Sequence, residues 1–210
     1  MTISAAAQAA ARRVQEAADT RLRSVQRRQQ AGVEQRLPAL LRRPMAPDDP
    51  VLWMELDLTA LYTDQPGRLD EREHGRASTA ITAAAQMWAF TKARHQPTRT
   101  DTPTAFGTTL AGITAARPNA HDELTRALNT DTLHMLLPRL RSLLRDIDRL
   151  DFALLAHDLY LWQLPGGPRH VGQQWVAHYT RARAARTPRT SNSRTASADP
   201  TAHPAPESTH

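Results

Sequence analysis

The chain has 210 residues, 40% of them hydrophobic and 23% charged, enough for one large or two small domains with a true core. It contains no cysteine, which excludes disulfides, thiolate metal sites and cysteine nucleophiles; no uncharged stretch is longer than Ala77 to Thr91, which is too short and too polar to span a bilayer. A net charge of +6 favours a polyanionic partner, and the N-terminus lacks the apolar run of a secretory signal, so a cytoplasmic location is expected.

Residues 1–36 are rich in Ala, Gln and Arg, all good helix formers. Leu22, Val25 and Val33 are too sparse for a strong buried stripe, so this part reads as a helical or partly disordered extension. Pro38, Pro44, Pro47, Pro50 and Pro66 keep helices short over 37–75, one of them carrying Trp53, Leu56 and Leu61. A helix is expected from Thr79 to Arg94, with Ile81, Ala84, Ala85 and Trp88 inward, and His95 to Pro103 reads as a loop. Phe106, Leu110 and Ile113 mark a further helix that Pro118 would stop, and His121 to Leu128 another.

The strongest amphipathic pattern is Leu133, Leu136, Leu137, Leu140, Leu143, Leu144 and Ile147, with Pro138 expected to open a new helix within it. Asp151 can N-cap the next helix, which carries Leu154, Leu155, Leu159 and Trp162. The Pro165-Gly166-Gly167-Pro168 turn leads to a last helix with Val171, Trp175 and Tyr179 along one side. No segment alternates as a strand between hairpin turns. The expected fold is all-α, a helical bundle of two small packed helical domains. The division is 1–36 extension, 37–117 N-terminal domain, 118–185 C-terminal domain and 186–210 a disordered tail of Thr, Ser, Pro, Ala and Arg.

Charge is distributed in blocks. Residues 12–43 carry nine arginines against Glu16, Asp19 and Glu34; residues 46–75 carry eight acids against Arg68 and Arg72; residues 76–185 hold thirteen basic residues against eight acids. Of the 27 basic residues only Lys92 is a lysine, and the arginine fork suits phosphate oxygens, although the nucleotide bias of a GC-rich genome would account for most of the arginine-for-lysine skew. On a helix running on from Pro138, Arg141, Arg145 and Arg149 would form a ladder opposite the leucine face, suited to successive phosphates. The alternative is a solvated face with Arg145–Asp148 and Asp146–Arg149 pairs.

Enzymatic patterns are missing. There is no His-Glu-x-x-His pair, no Walker loop and no dinucleotide fingerprint. His157 and Asp158 are expected on different sides of a helix, and His170 and His178 stand too far apart to share a metal. As a nuclease cluster, Asp146, Asp148 and Asp151 fail: on a helix 146 and 148 diverge, and a cap is the better role for Asp151. Trp53, Trp88, Trp162 and Trp175 sit among apolar residues at helical spacing and are expected in the core rather than stacked on bases. No metal, cofactor or catalytic residue is expected.

Several stretches resemble the CasB family, the small subunit of the type I-E CRISPR Cascade complex: Leu136-Leu137-Pro138-Arg139-Leu140-Arg141-Ser142-Leu143-Leu144, then Asp151 to Leu159, Trp162, and Val171, Trp175 and Tyr179. Phe106-Gly107-Thr108-Thr109-Leu110 is similar to a Leu-Gly-x-x-Leu motif, and Met87 to Phe90, His95-Gln96-Pro97 and Leu40-Leu41-Arg42-Arg43 to upstream segments. Thr108 departs from the arginine frequent there, and the acidic stretch Asp70 to Glu73 looks like an insertion. The resemblance spans about 37–183. It implies a non-catalytic subunit that binds nucleic acid backbone and steadies the target and displaced strands of an R-loop in antiviral defence, with pairing to the guide reading sequence. It implies guide-RNA-loaded backbone and large subunits, both DNA strands and a second copy of the chain as partners, and no membrane. Arg42, Arg43, Arg139, Arg141 and Arg169 carry over as backbone contacts, and Arg145 joins them from its spacing alone. From the residues alone, a helix-turn-helix regulator using the turns at Gly107 or Pro165, and a metal-dependent nuclease, are the competing classes.

Overall fold

The computed structural model describes residues 3–61, 69–99, 105–117 and 119–186, the side chains at 59 and 60 excepted. Its helices are α1 (Ala5–Gln30), α2 (Arg36–Leu41), α3 (Pro50–Glu55), α4 (Glu71–Thr91), α5 (Phe106–Ala116), α6 (Ala120–Leu128), α7 (Leu133–Leu143), α8 (Phe152–Trp162) and α9 (Gly167–Arg186), with a 3-10 turn at Leu58–Leu61. Two strands of two residues each, β1 (Arg94–His95) and β2 (Arg149–Leu150), pair in parallel. The all-α expectation holds. The expectations for Pro118 and for a tail over 187–210 lie outside the described residues.

Helix α8 is the axis of the bundle, with α1 and α4 packed along it and α9 crossing it. Asp151 caps it as expected, accepting from Leu154 N–H at 2.8 Å. At its start Phe152 meets the His95 ring 6.5 Å away; at its end Gln163 Nε2 donates to the Arg76 carbonyl near the start of α4. Helix α4 therefore runs antiparallel to α8. Helix α1 follows the direction of α4, because its late residue Gln26 bonds to His95 while its early residue Gln8 reaches His170 at the start of α9.

Helices α1, α4 and α7 differ from the sequence reading. Helix α1 is a full core helix, capped by Ser4 and buried through Ala10, Ala11, Val14, Ala18, Leu22 and Val25. Alanines fill the gaps between its large residues, so a stripe too weak to stand out in sequence still packs closely on α8. Helix α4 starts eight residues before Thr79, because Asp70 and Glu73 form a capping box: Asp70 Oδ1 accepts from Glu73 N–H at 2.7 Å and Glu73 Oε2 from Asp70 N–H at 3.2 Å. The acidic stretch is thus the start of a core helix.

Pro138 lies inside α7 instead of opening a new helix, and α7 ends at Leu143 instead of running on through Ile147. Arg117 donates to the carbonyls of Ser142 and Leu143, satisfying the orphan acceptors of that end. Beyond it, Asp148 O accepts from Arg94 N–H and Leu150 O from Gln96 N–H, which holds 148–150 extended.

Trp88, Trp162 and Trp175 are buried and Trp53 is half-buried against the core, its Nε1–H donating to the Pro47 carbonyl. Trp162 stacks on Trp175 at 5.4 Å, and the Phe106 ring lies tilted 4.2 Å from Trp175. Gly107 lies within α5, not in a turn, and a Cβ there would collide with the Trp175 carbonyl oxygen of α9.

Candidate nucleic-acid interface

Because α1 and α4 both end where α8 begins, their C-terminal residues share one end of the bundle with α2 and the β1–β2 bridge. A cleft of about 270 Å³ opens there. Arg42, Lys92 and Arg94 line it, and none of its lining residues is acidic. Lys92 is the α4 C-cap, in the left-handed region at φ 58°, and Arg94 opens β1. Two helix C-termini carry negative partial charge here, which draws cations to the spot. Arg27 and Arg28 occupy the last turn of α1.

Arg42 is the α2 C-cap, and its Nε–H donates to the Ala89 carbonyl in the last turn of α4 at 2.8 Å. This bond holds the guanidinium at the cleft and satisfies a carbonyl that α4 leaves without a helical partner. Arg43, next in chain, is exposed and has no partner among the described residues. Across the bridge Arg94 is in register with Arg149, both exposed. Arg42, Lys92, Arg94 and Arg149 therefore form a basic strip drawn from three separate stretches of the chain.

The other expected residues are spread more widely. Arg139 and Arg141 are half-buried on α7, two residues apart and hence on different faces. Arg145 is exposed in the turn between α7 and β2, on the chain that leads to Arg149. Arg169 is exposed in the first turn of α9, at the opposite end of α8 from the cleft. The helical ladder of Arg141, Arg145 and Arg149 is not formed, because α7 stops at Leu143 and Arg149 belongs to β2. Nor do the alternative intrahelical pairs form: Asp146 faces Arg117 at 3.7 Å instead. Lys92 and Arg94 were missed in sequence. Both fall at the end of the helix expected from Thr79 to Arg94, which stops at Thr91, and two isolated basic residues there show no periodicity.

His157 and Asp158 do meet, contrary to their expected divergence, with Nδ1 2.9 Å from Oδ1. The other oxygen of buried Asp158 accepts from Trp175 Nε1–H at 2.6 Å. This carboxylate anchors α9 to α8 and is enclosed in the core. Asp151 is also buried, its second oxygen accepting from Thr98 N–H at 2.8 Å. Among the described residues no group of three or more His, Asp or Glu is placed to hold a metal ion, and no helix is long and apolar enough to cross a membrane.

The family model of CRISPR-associated protein Cse2 matches residues 38–179. The crystal structure of CasB from Thermobifida fusca is similar over 80% of this chain and 97% of that one, with a TM-score of 0.65 and 23% identity, a likeness of fold. No curated protein matches the chain in sequence.

Proposed function

The chain belongs to the CRISPR-associated Cse2 family, also called CasB, and from that premise we propose that it serves in a type I-E Cascade complex as a non-catalytic clamp on nucleic acid backbone. In this reading it steadies the target and displaced strands once guide pairing has opened the duplex. The observation that carries it is the strip Arg42, Lys92, Arg94 and Arg149, three of whose side chains have no protein partner among the described residues. Exposed guanidinium and ammonium groups in a row are suited to phosphates, while base identity is left to guide pairing. Arg43 and Arg145 extend the strip along the chain, whereas Arg139, Arg141 and Arg169 would meet other strands or other subunits. The guide-loaded backbone subunits, the large subunit and a second copy of the chain are the protein partners this role requires.

The test is R-loop lifetime in the assembled complex. With Lys92, Arg94 and Arg149 replaced together by Ala, guide RNA should load normally and the open duplex should close faster. An unchanged lifetime would contradict the proposal.

A further inference from the structure

The cleft holds more than positive charge. Its apolar lining comes from Pro38, Trp88, Ala89 and Ala93, and its α1 wall is a run of side-chain amides, Gln26, Gln29 and Gln30. Gln26 is occupied: its Oε1 accepts from His95 N–H at 2.8 Å and its Nε2 donates to the His95 carbonyl at 3.5 Å. Gln29 and Gln30 have no protein partner for their amides among the described residues. An apolar surface, two unengaged amides and cations at the rim match the three chemistries of a nucleotide, namely base face, base edge and phosphate.

We propose that this cleft takes a single unpaired nucleotide, with Gln29 and Gln30 bonding the base edge and Arg42, Lys92 and Arg94 the phosphate. The inference deepens the backbone-clamp reading and rests on it. A volume of about 270 Å³ lies just under the range of about 300–1,000 Å³ for pockets that enclose whole ligands. It suits one base rather than a stretch of duplex. A glutamine amide presents a donor and an acceptor side by side, so it can pair with a base edge in two bonds. Such an edge is free only where the base is unpaired and splayed from its neighbours. Lys92 Nζ and the terminal nitrogens of Arg42 remain for phosphate, since the latter spends only Nε on Ala89. The site would therefore favour opened strands over closed duplex by geometry as well as by charge.

The experiment compares two probes by fluorescence anisotropy with the full chain at low salt. One is a single strand of about twelve deoxyadenosines, a length within the span of known single-strand sites. The other has the same sugar-phosphate backbone with every base removed. The wild-type chain should bind the base-bearing strand about tenfold more tightly, as one good amide–base pair allows. The double variant Gln29→Ala/Gln30→Ala should lose that preference and keep its salt dependence. Alanine is a stronger helix former than glutamine, and a thermal melt checks that α1 is intact. Equal wild-type affinity for the two strands, or a preference that survives in the variant, would overturn the nucleotide site while leaving the backbone clamp standing. Failure of both strands to bind would overturn both readings.

Discussion

Arg94 and Arg149 are register partners across the β1–β2 bridge, exposed side by side with no acidic partner among the described residues. Like charges placed opposite one another on paired strands destabilise the pairing. The fold tolerates this pair at the mouth of a cleft lined by two more cations. A polyanion laid across the strip would turn that repulsion into attraction. The neighbouring backbone is held in place, with Arg94 N–H and Gln96 N–H both donating across the bridge.

Neighbouring arginines at the end of α2 should behave differently. Arg42→Ala removes the bond to the Ala89 carbonyl and should cost about 1 kcal/mol, a charge-assisted hydrogen bond discounted for exposure. Arg43→Ala should leave stability unchanged, because exposed charge without a partner contributes little. Urea melts of the two variants check this contrast. Equal stabilities would remove the structural role of Arg42.

Gly107→Ala should destabilise the chain by roughly 1–3 kcal/mol through overpacking, although alanine is normally the better helix residue. The added methyl would collide with the Trp175 carbonyl oxygen and meet His178 Cβ at 2.8 Å, forcing α5 off α9. Chemical denaturation reads the effect. A neutral or stabilising result would mean that the α5–α9 contact is looser than described.

Much of this was legible in sequence, for identifiable reasons. Asp151 stands directly before an apolar helix, so its cap was readable from local order. Helix α1 was harder: half of its buried stripe is alanine, which looks the same on a core face as on a surface one. The arginine ladder failed because the end of α7 is set from outside. Arg117 covers its last carbonyls and β1 captures the residues beyond, and nothing within 133–150 signals either contact. The basic strip is the product of such contacts. It joins α2, the end of α4, β1 and β2, and no window of sequence contains it.

Tyr160 gives a pH signature. It is fully buried in α8 and its hydroxyl has no hydrogen-bond partner among the described residues. Burial, with a lesser push from Glu73, raises its pKa from the ordinary 10.0 to about 12. The neutral form is thus favoured in the folded chain. Its contribution to stability is fully present below pH 10 and is lost as the pH rises through about 12. Tyr160→Phe should be neutral or slightly stabilising at pH 7, since no bond is lost, and should flatten the fall in stability between pH 10 and 12. Thermal melts of both proteins across that range decide it. Identical alkaline limbs would show that other groups govern the fall.

The backbone clamp is tested most directly by the salt dependence of single-strand binding. Each phosphate contact to single-stranded nucleic acid contributes about 0.7 to the slope of log affinity against log salt. Replacing Lys92, Arg94 and Arg149 together by Ala should lower the slope by about 2, whatever the base sequence, with thermal stability preserved because all three side chains are exposed. A slope and an affinity equal to wild type in the folded triple variant would contradict the account.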